Sequence, residues 1–158
     1  MMNMVRTPNV FQLVKGAGEG RMPLNAFDKA LLSAGVGDTN LIRISSIVPP
    51  GAREVSGLVL PGGSLVPVAY AHIDSGLPGQ IISAAIAVAI PEDSSQPGVI
   101  MEYEAEAPLQ VVEEVVRQMA EDAFAYRNRK LAAIKTAGIE HTVVKCGSVF
   151  AGAVLWYE

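Results

Sequence analysis

The most restrictive stretch of this chain is residues 81–90, IISAAIAVAI, ten residues interrupted only by Ser83. A membrane-spanning helix needs about 20 apolar residues, so the run is a core element and not a span. Read at the two-residue period of a strand, Ile82, Ala84, Ile86, Val88 and Ile90 share one face, and Ser83, Ala85, Ala87 and Ala89 share the other. Neither face is polar. A strand covered on both sides belongs in the middle of a layered α/β structure, and the small-residue face is expected to take the close approach of a second sheet.

The rest of the pattern supplies the covering layers. Residues 9–15 read as a strand running into a glycine-bearing turn, Gly16-Ala17-Gly18-Glu19-Gly20. A short helix is expected over 25–33, with Asn25 as its N-cap and Gly35 as its stop. Residues 40–48 (NLIRISSIV) read as one β-branched strand ended by Pro49-Pro50, after which a loop begins. Further strands are expected over 64–73, 80–90, 99–105, 139–145 and 149–157. Pro108 opens the principal helix, which runs to about residue 127. Leu109, Val112, Val116, Met119, Ala120 and Ala123 form its apolar stripe, opposite Glu113, Glu114, Gln118 and Glu121. Runs of strands broken by two helices imply a single α+β domain with helices outside a mixed or antiparallel sheet. No linker or repeat divides it. A doubly wound nucleotide fold is disfavoured, because the chain lacks regular βα alternation, a GxGxxG fingerprint and a P-loop.

Composition narrows the function. The 158 residues are 50% hydrophobic and 18% charged, with a net charge of −4, against about 25% charged in an average soluble domain. That excludes intrinsic disorder, and it excludes a polybasic nucleic-acid binder, which needs Lys/Arg runs to neutralise phosphates. Burial of surface between subunits would account for the shortage of charge. The N-terminal MMNMVRTPNVF lacks the apolar block and cleavage site of a signal peptide, and the single Cys146 permits no intrachain disulfide. A cytoplasmic protein without a membrane segment is expected.

Three sets of polar residues stand in apolar surroundings. Asp28 shares helical spacing with Leu24, Phe27 and Leu31. It is either a carboxylate at the edge of the stripe or one held in an apolar pocket to meet a cation. Glu102, Glu104 and Glu106 project at period two from the segment Met101-Glu102-Tyr103-Glu104-Ala105-Glu106. This is a solvated face unless the apolar residues 98–101 bury its start, in which case Glu102 holds its proton for acid chemistry. Ser45-Ser46 is the third. Alternation puts Ser46 and Asn40 on the face of Ile42, Ile44 and Val48, where a hydroxyl either bonds a neighbouring backbone group or does chemistry. His72 and His141 have no nucleophile elbow to serve and too few companions for a metal site, so both are expected to be structural.

Taken in order, Pro23-Leu24-Asn25-Ala26-Phe27-Asp28, Asn40-Leu41-Ile42-Arg43-Ile44-Ser45-Ser46-Ile47 with Pro49-Pro50, Ile82-Ser83-Ala84-Ala85-Ile86 with Val88-Ala89-Ile90-Pro91, Met101-Glu102-Tyr103-Glu104, Glu140-His141-Thr142-Val143 and Leu155-Trp156-Tyr157 closely resemble the pyruvoyl-dependent arginine decarboxylases found chiefly in archaea. Each block is weakly specific and the ordered set strongly so. The resemblance runs from about Val10 to the C-terminus.

It implies a four-layer αββα sandwich whose proenzyme cuts itself between Ser45 and Ser46, giving a small chain 1–45 and a large chain 46–158. The Ser46 hydroxyl attacks the Ser45 carbonyl, β-elimination of the resulting ester leaves dehydroalanine, and hydrolysis gives a pyruvoyl group and ammonia. The pyruvoyl carbonyl takes the substrate amine as a Schiff base and accepts the electron pair released with CO₂. By the same resemblance Asn40 assists processing, Glu102 donates the proton, and Asp28 contacts the guanidinium of L-arginine. Leu24, Phe27 and Leu31 wall its methylene chain, and Gly37 and Thr39 line the site, Thr39 standing where a valine is familiar. A homotrimer with active sites between subunits and a role in forming agmatine for polyamine synthesis are implied too, with no metal and no nucleic-acid partner. The alternatives are a pyruvoyl decarboxylase of another amino acid, such as histidine, and a non-catalytic trimeric binding or structural homologue that stays uncut.

Overall fold

The computed structural model describes residues 5–158. The first residues of the segment read above as lacking a signal peptide, 1–4, lie outside them. In chain order the elements are β1 (Val10–Glu19), α1 (Pro23–Ser33), β2 (Asn40–Arg43), β3 (Ile47–Val48), β4 (Arg53–Glu54), β5 (Leu65–Ser75), β6 (Ile81–Pro91), β7 (Gly98–Ala105), α2 (Leu109–Tyr126), β8 (Leu131–Thr142) and β9 (Gly147–Trp156). They build two sheets. The first has the order β2-β5-β9-β1-β4 and the second β3-β7-β6-β8. The second is antiparallel throughout, whereas β2 and β4 join the first in parallel with β5 and β1.

Three apolar clusters define four layers. Between the sheets, Ile82, Ala84, Ile86, Val88 and Ile100 meet Phe11, Ala69, Ala71, Val149, Ala151 and Ala153. Outside the second sheet, α2 lays Val112, Val116, Ala120, Ala123 and Phe124 on Ala85, Ala87, Ala89 and Val99. Outside the first, α1 sets Ala30 among Val14, Val66, Val68, Phe150 and Val154. The order is αββα, in one α+β domain. β6 lies inside its sheet with both faces covered, but the faces are used the other way round from expectation. The branched side chains fill the gap between the sheets, which are about 10 Å apart, and the alanine face admits α2. Ser83 on that face donates its hydroxyl to Ala107 O at 2.7 Å, so its burial leaves no orphan.

Other differences have local causes. The glycines of 16–20 do not form a turn: β1 runs to Glu19, paired with β9 throughout. They are there because α1 crosses close above. A Cβ on Gly18 would stand 2.8 Å from Ala26 O and Ala30 N. α1 begins at Pro23 with Met22 as its N-cap and no side-chain cap, so Asn25 lies inside the helix. Gly35, at φ 82°, does end it. β8 covers 131–142 instead of 139–145, its alanine-rich first half being recruited by β6 despite weak strand propensity. Among the described residues no helix is long and apolar enough to cross a membrane.

Candidate active site

The segment expected as one strand over 40–48 divides into two pieces that belong to different sheets. β2 follows β5, with Asn40 N–H donating to Ser64 O at 2.8 Å and Ile44 N–H to Val68 O at 3.1 Å. Two residues on, Ser46 O accepts Ile100 N–H at 2.7 Å and Ile47 pairs with Val99 on β7. The chain therefore passes from the first sheet to the second through Ser45 and Ser46. Neither belongs to a strand; Ser45 is exposed and Ser46 half-buried. The peptide bond between them is outside both ladders while its two flanks are anchored. Because the strand is interrupted, period-two alternation no longer relates Ser46 to Asn40, and the shared face read from sequence does not exist. The Asn40 amide instead donates to Gly63 O at 3.0 Å.

Glu102 lies two residues beyond Ile100 on β7, opposite Ile86, on the face that looks into the gap between the sheets. It is half-buried, whereas Glu104 and Glu106 are exposed, and Glu106 lies past the strand. Burial raises the Glu102 pKa above the usual carboxylate value; the positive charge of Arg43 opposes this and the negative charge of Glu104 adds to it. The glutamate run thus has one buried member, the first.

Ser45, Ser46 and Glu102 lie around this crossing, whereas Asn40 stands at the start of β2, bonded to Gly63. The α1 residues do not join them within one chain, since α1 covers the outer face of the first sheet. Asp28 is exposed there, and not within the apolar stripe, because the helix buries Ala26 and Ala30 against the glycines of β1. Leu24 is 76% exposed. Leu31 packs on the first sheet, and the Phe27 ring stacks 4.4 Å from His72 and 6.2 Å from Phe150. Gly37 and Thr39 lead into β2; Thr39 Oγ1 donates to Val36 O at 2.7 Å, so its hydroxyl is satisfied locally where a valine would have none.

Both histidines have structural partners. His141 Nε2 lies 2.8 Å from Glu19 Oε2, while Glu19 Oε1 accepts the N–H groups of Val144, Lys145 and Cys146. Burial pushes the Glu19 pKa up, but these hydrogen bonds and His141 outweigh it and hold the carboxyl below its usual range. Glu140 accepts the Leu109 N–H at 2.9 Å and so caps α2. His72 lies 3.7 Å from Asp74. Arg43, at the end of β2, lies over the Tyr70 ring, 4.4 Å from its centroid, a contact that sequence reasoning did not foresee.

The model of the family described as pyruvoyl-dependent arginine decarboxylase matches residues 10–158. A protein of that name from Methanocaldococcus jannaschii is 53% identical over 153 residues, covering 97% of this chain and 93% of the relative. One from Methanococcus vannielii is 46% identical with the same coverage, and one from Pyrococcus abyssi is 39% identical over 96% of both chains. A serine pair held at the passage between two sheets, in a chain matched almost end to end, leads to one conclusion: this chain belongs to the pyruvoyl-dependent arginine decarboxylase family.

Proposed function

We propose that the chain cuts itself between Ser45 and Ser46 and that the resulting enzyme, a small chain 1–45 and a large chain 46–158, converts L-arginine to agmatine and CO₂. The observation that carries this is the crossing itself: a serine-serine bond free of both ladders, with Ile44 tied to β5 and Ser46 to β7. Held there, the Ser46 hydroxyl can attack the Ser45 carbonyl carbon. A C–O bond forms as the C–N bond breaks, and the proton moves to the nitrogen. Asn40 has two amide N–H donors, so its bond to Gly63 leaves one for the oxyanion of Ser45. Elimination then releases Ser45 as a carboxylate, and water replaces the Ser46 nitrogen, which leaves as ammonia.

The surroundings fit the pyruvoyl group so formed, because the carbonyl of residue 46, which survives the cut, is the one anchored by Ile100 N–H. That group supplies a ketone that binds the substrate amine and draws off the electron pair as CO₂ leaves. Burial shifts Glu102 toward its protonated form, and it is assigned to donate the proton to the substrate α-carbon. Asp28 takes the guanidinium in a bidentate charge-assisted pair, with Leu24, Phe27 and Leu31 along the methylene chain and Gly37 and Thr39 beside it.

Asp28 and Leu24 face away from their own crossing, so they are assigned to the Ser46 of a neighbouring subunit in a homotrimer. Leu65, Ile42 and Ile47, at 65%, 45% and 43% exposed, lie near the β2 edge and supply apolar surface for such a contact. The free Cys146 is in keeping with a cytoplasmic location.

Denaturing electrophoresis and intact mass test the proposal. Wild type gives two fragments, the larger with a blocked N-terminus, and forms agmatine from arginine; Ser46→Ala gives one uncut chain and no product. A wild-type chain that stays uncut after native incubation sinks the enzyme reading in favour of a non-catalytic homologue.

A further inference from the structure

A cut after Ser45 would leave the small chain held on the large one by contacts alone, and those contacts are unequal. β2 is a four-residue strand at the edge of its sheet, the kind of element that frays first. β1 is interior, and side chains fasten it at both ends. At its start Asn9 is exposed; its Nδ2 donates to Glu158 O at 3.0 Å and its Oδ1 accepts the Glu158 N–H at 2.9 Å. Water replaces such exposed bonds at little cost.

The far end is built differently. Glu19 closes β1, and its side-chain partners all come from the end of β8 and the turn into β9, where the chain passes from the second sheet back to the first. Oε1 accepts the N–H groups of Val144, Lys145 and Cys146 at 3.2, 2.8 and 3.2 Å, and Oε2 lies 2.8 Å from His141 Nε2. The Glu19 and His141 side chains are only 27% and 22% exposed. Gly147, opposite Glu19 on β9, makes room for the pair, since a Cβ there would stand 2.8 Å from His141 Cδ2. Arg21 and Lys145 border the same hollow, yet among the described residues neither comes within ion-pair distance of Glu19. One carboxylate thus ties the two sheets together and, across the cut, ties the small chain to the large. Pulling it out strands backbone N–H groups and a charge in partly buried surroundings.

We propose that Glu19 is the latch of the processed protein: its seat on His141 and residues 144–146 is the last hold of the small chain to open and sets how fast that chain is lost. This rests on the cut between Ser45 and Ser46. The test dilutes processed wild type, Glu19→Gln, His141→Gln and Asn9→Ala and follows the free small chain by size-exclusion chromatography with intact mass. Glu19→Gln, which keeps the size of the side chain and removes its charge, releases the small chain about tenfold faster than wild type. His141→Gln leaves the seat on the backbone and falls between the two; it carries the test alone should Glu19→Gln not fold. Asn9→Ala stays within about twofold of wild type. Release at the wild-type rate from both latch variants, or equally fast release from Asn9→Ala, overturns the proposal. The uncut Ser46→Ala chain separates the levels, because there Glu19→Gln speeds deuterium exchange at the N–H groups of residues 144–146. Faster exchange there with unchanged release from the cut protein overturns the latch alone. A wild type that is never cut removes the reading beneath it, and the latch with it.

Discussion

Asp28 and Glu102 are both carboxylates in a chain poor in charge, and the structure gives them opposite environments. Asp28 is exposed on α1, open to a cation brought by another molecule. A hydrogen bond to a charged group contributes about 1.5–3 kcal/mol, so Asp28→Asn is expected to raise KM for arginine about ten- to a hundredfold with a smaller change in kcat. Steady-state kinetics check this, and an unchanged KM removes the residue from the substrate site. Glu102 is held toward its neutral form by burial, and the linkage has a definite sign. A carboxyl whose pKa is higher folded than unfolded stabilises the fold fully below the unfolded value, and that contribution is lost as pH rises through the folded value. In the uncut Ser46→Ala chain, Glu102→Gln should therefore raise the melting temperature at neutral pH and change it little near pH 4. Equal melting temperatures at neutral pH would mean that the carboxyl bears no burial penalty.

At the scale of elements, the contact between α1 and β1 shows how backbone proximity replaces side-chain packing. Gly16, Gly18 and Gly20 let the helix lie so low on the strand that Ala26 and Ala30 are its fully buried residues. Gly18→Val should cost about 1–3 kcal/mol, the usual penalty for overpacking, measured as a lowered midpoint in urea; a change within error would mean that α1 lifts freely. The same contact marks a limit of sequence reading. Glycine spacing in β1 signalled a turn because only a neighbouring element, absent from local sequence, reveals a close approach. The two faces of β6 were legible from alternation, and so was the stripe of α2, apart from Phe124, which the helix also buries. Which face met which layer was not legible, because hydrophobicity reports burial and not the identity of the cover. The division of residues 40–48 was hidden for a related reason: β-branched residues run through Ile44 and Ile47, and nothing local says that the two halves pair with β5 and β7. At the crossing, Ser46 and Glu102 were singled out by ordered motifs, whereas the contact of Arg43 with Tyr70 was not legible because its partner lies 27 positions away.

For the whole molecule, the decisive fact is where the cut would fall in the topology. The proposed small chain would hold β1, α1 and β2, and β1 lies between β9 and β4, which the large chain would carry, paired with β9 over ten residues. Once cut, the two pieces would remain one folded body through this pairing, yet their unfolded forms would drift apart. Refolding of the processed protein from denaturant should slow on dilution, while refolding of the uncut Ser46→Ala chain to a monomeric fold should not; equal concentration dependence in the early phase of both would contradict this assignment. The ester route also runs once, since no residue restores the serine or rejoins the bond. A chain whose interior strand was threaded into place before cutting has a folding history that its fragments do not carry. For the cut form, return to the fold would depend on the two pieces meeting again, so at high dilution the working life of each molecule would be set by how slowly β1 leaves its place, a rate and not an equilibrium.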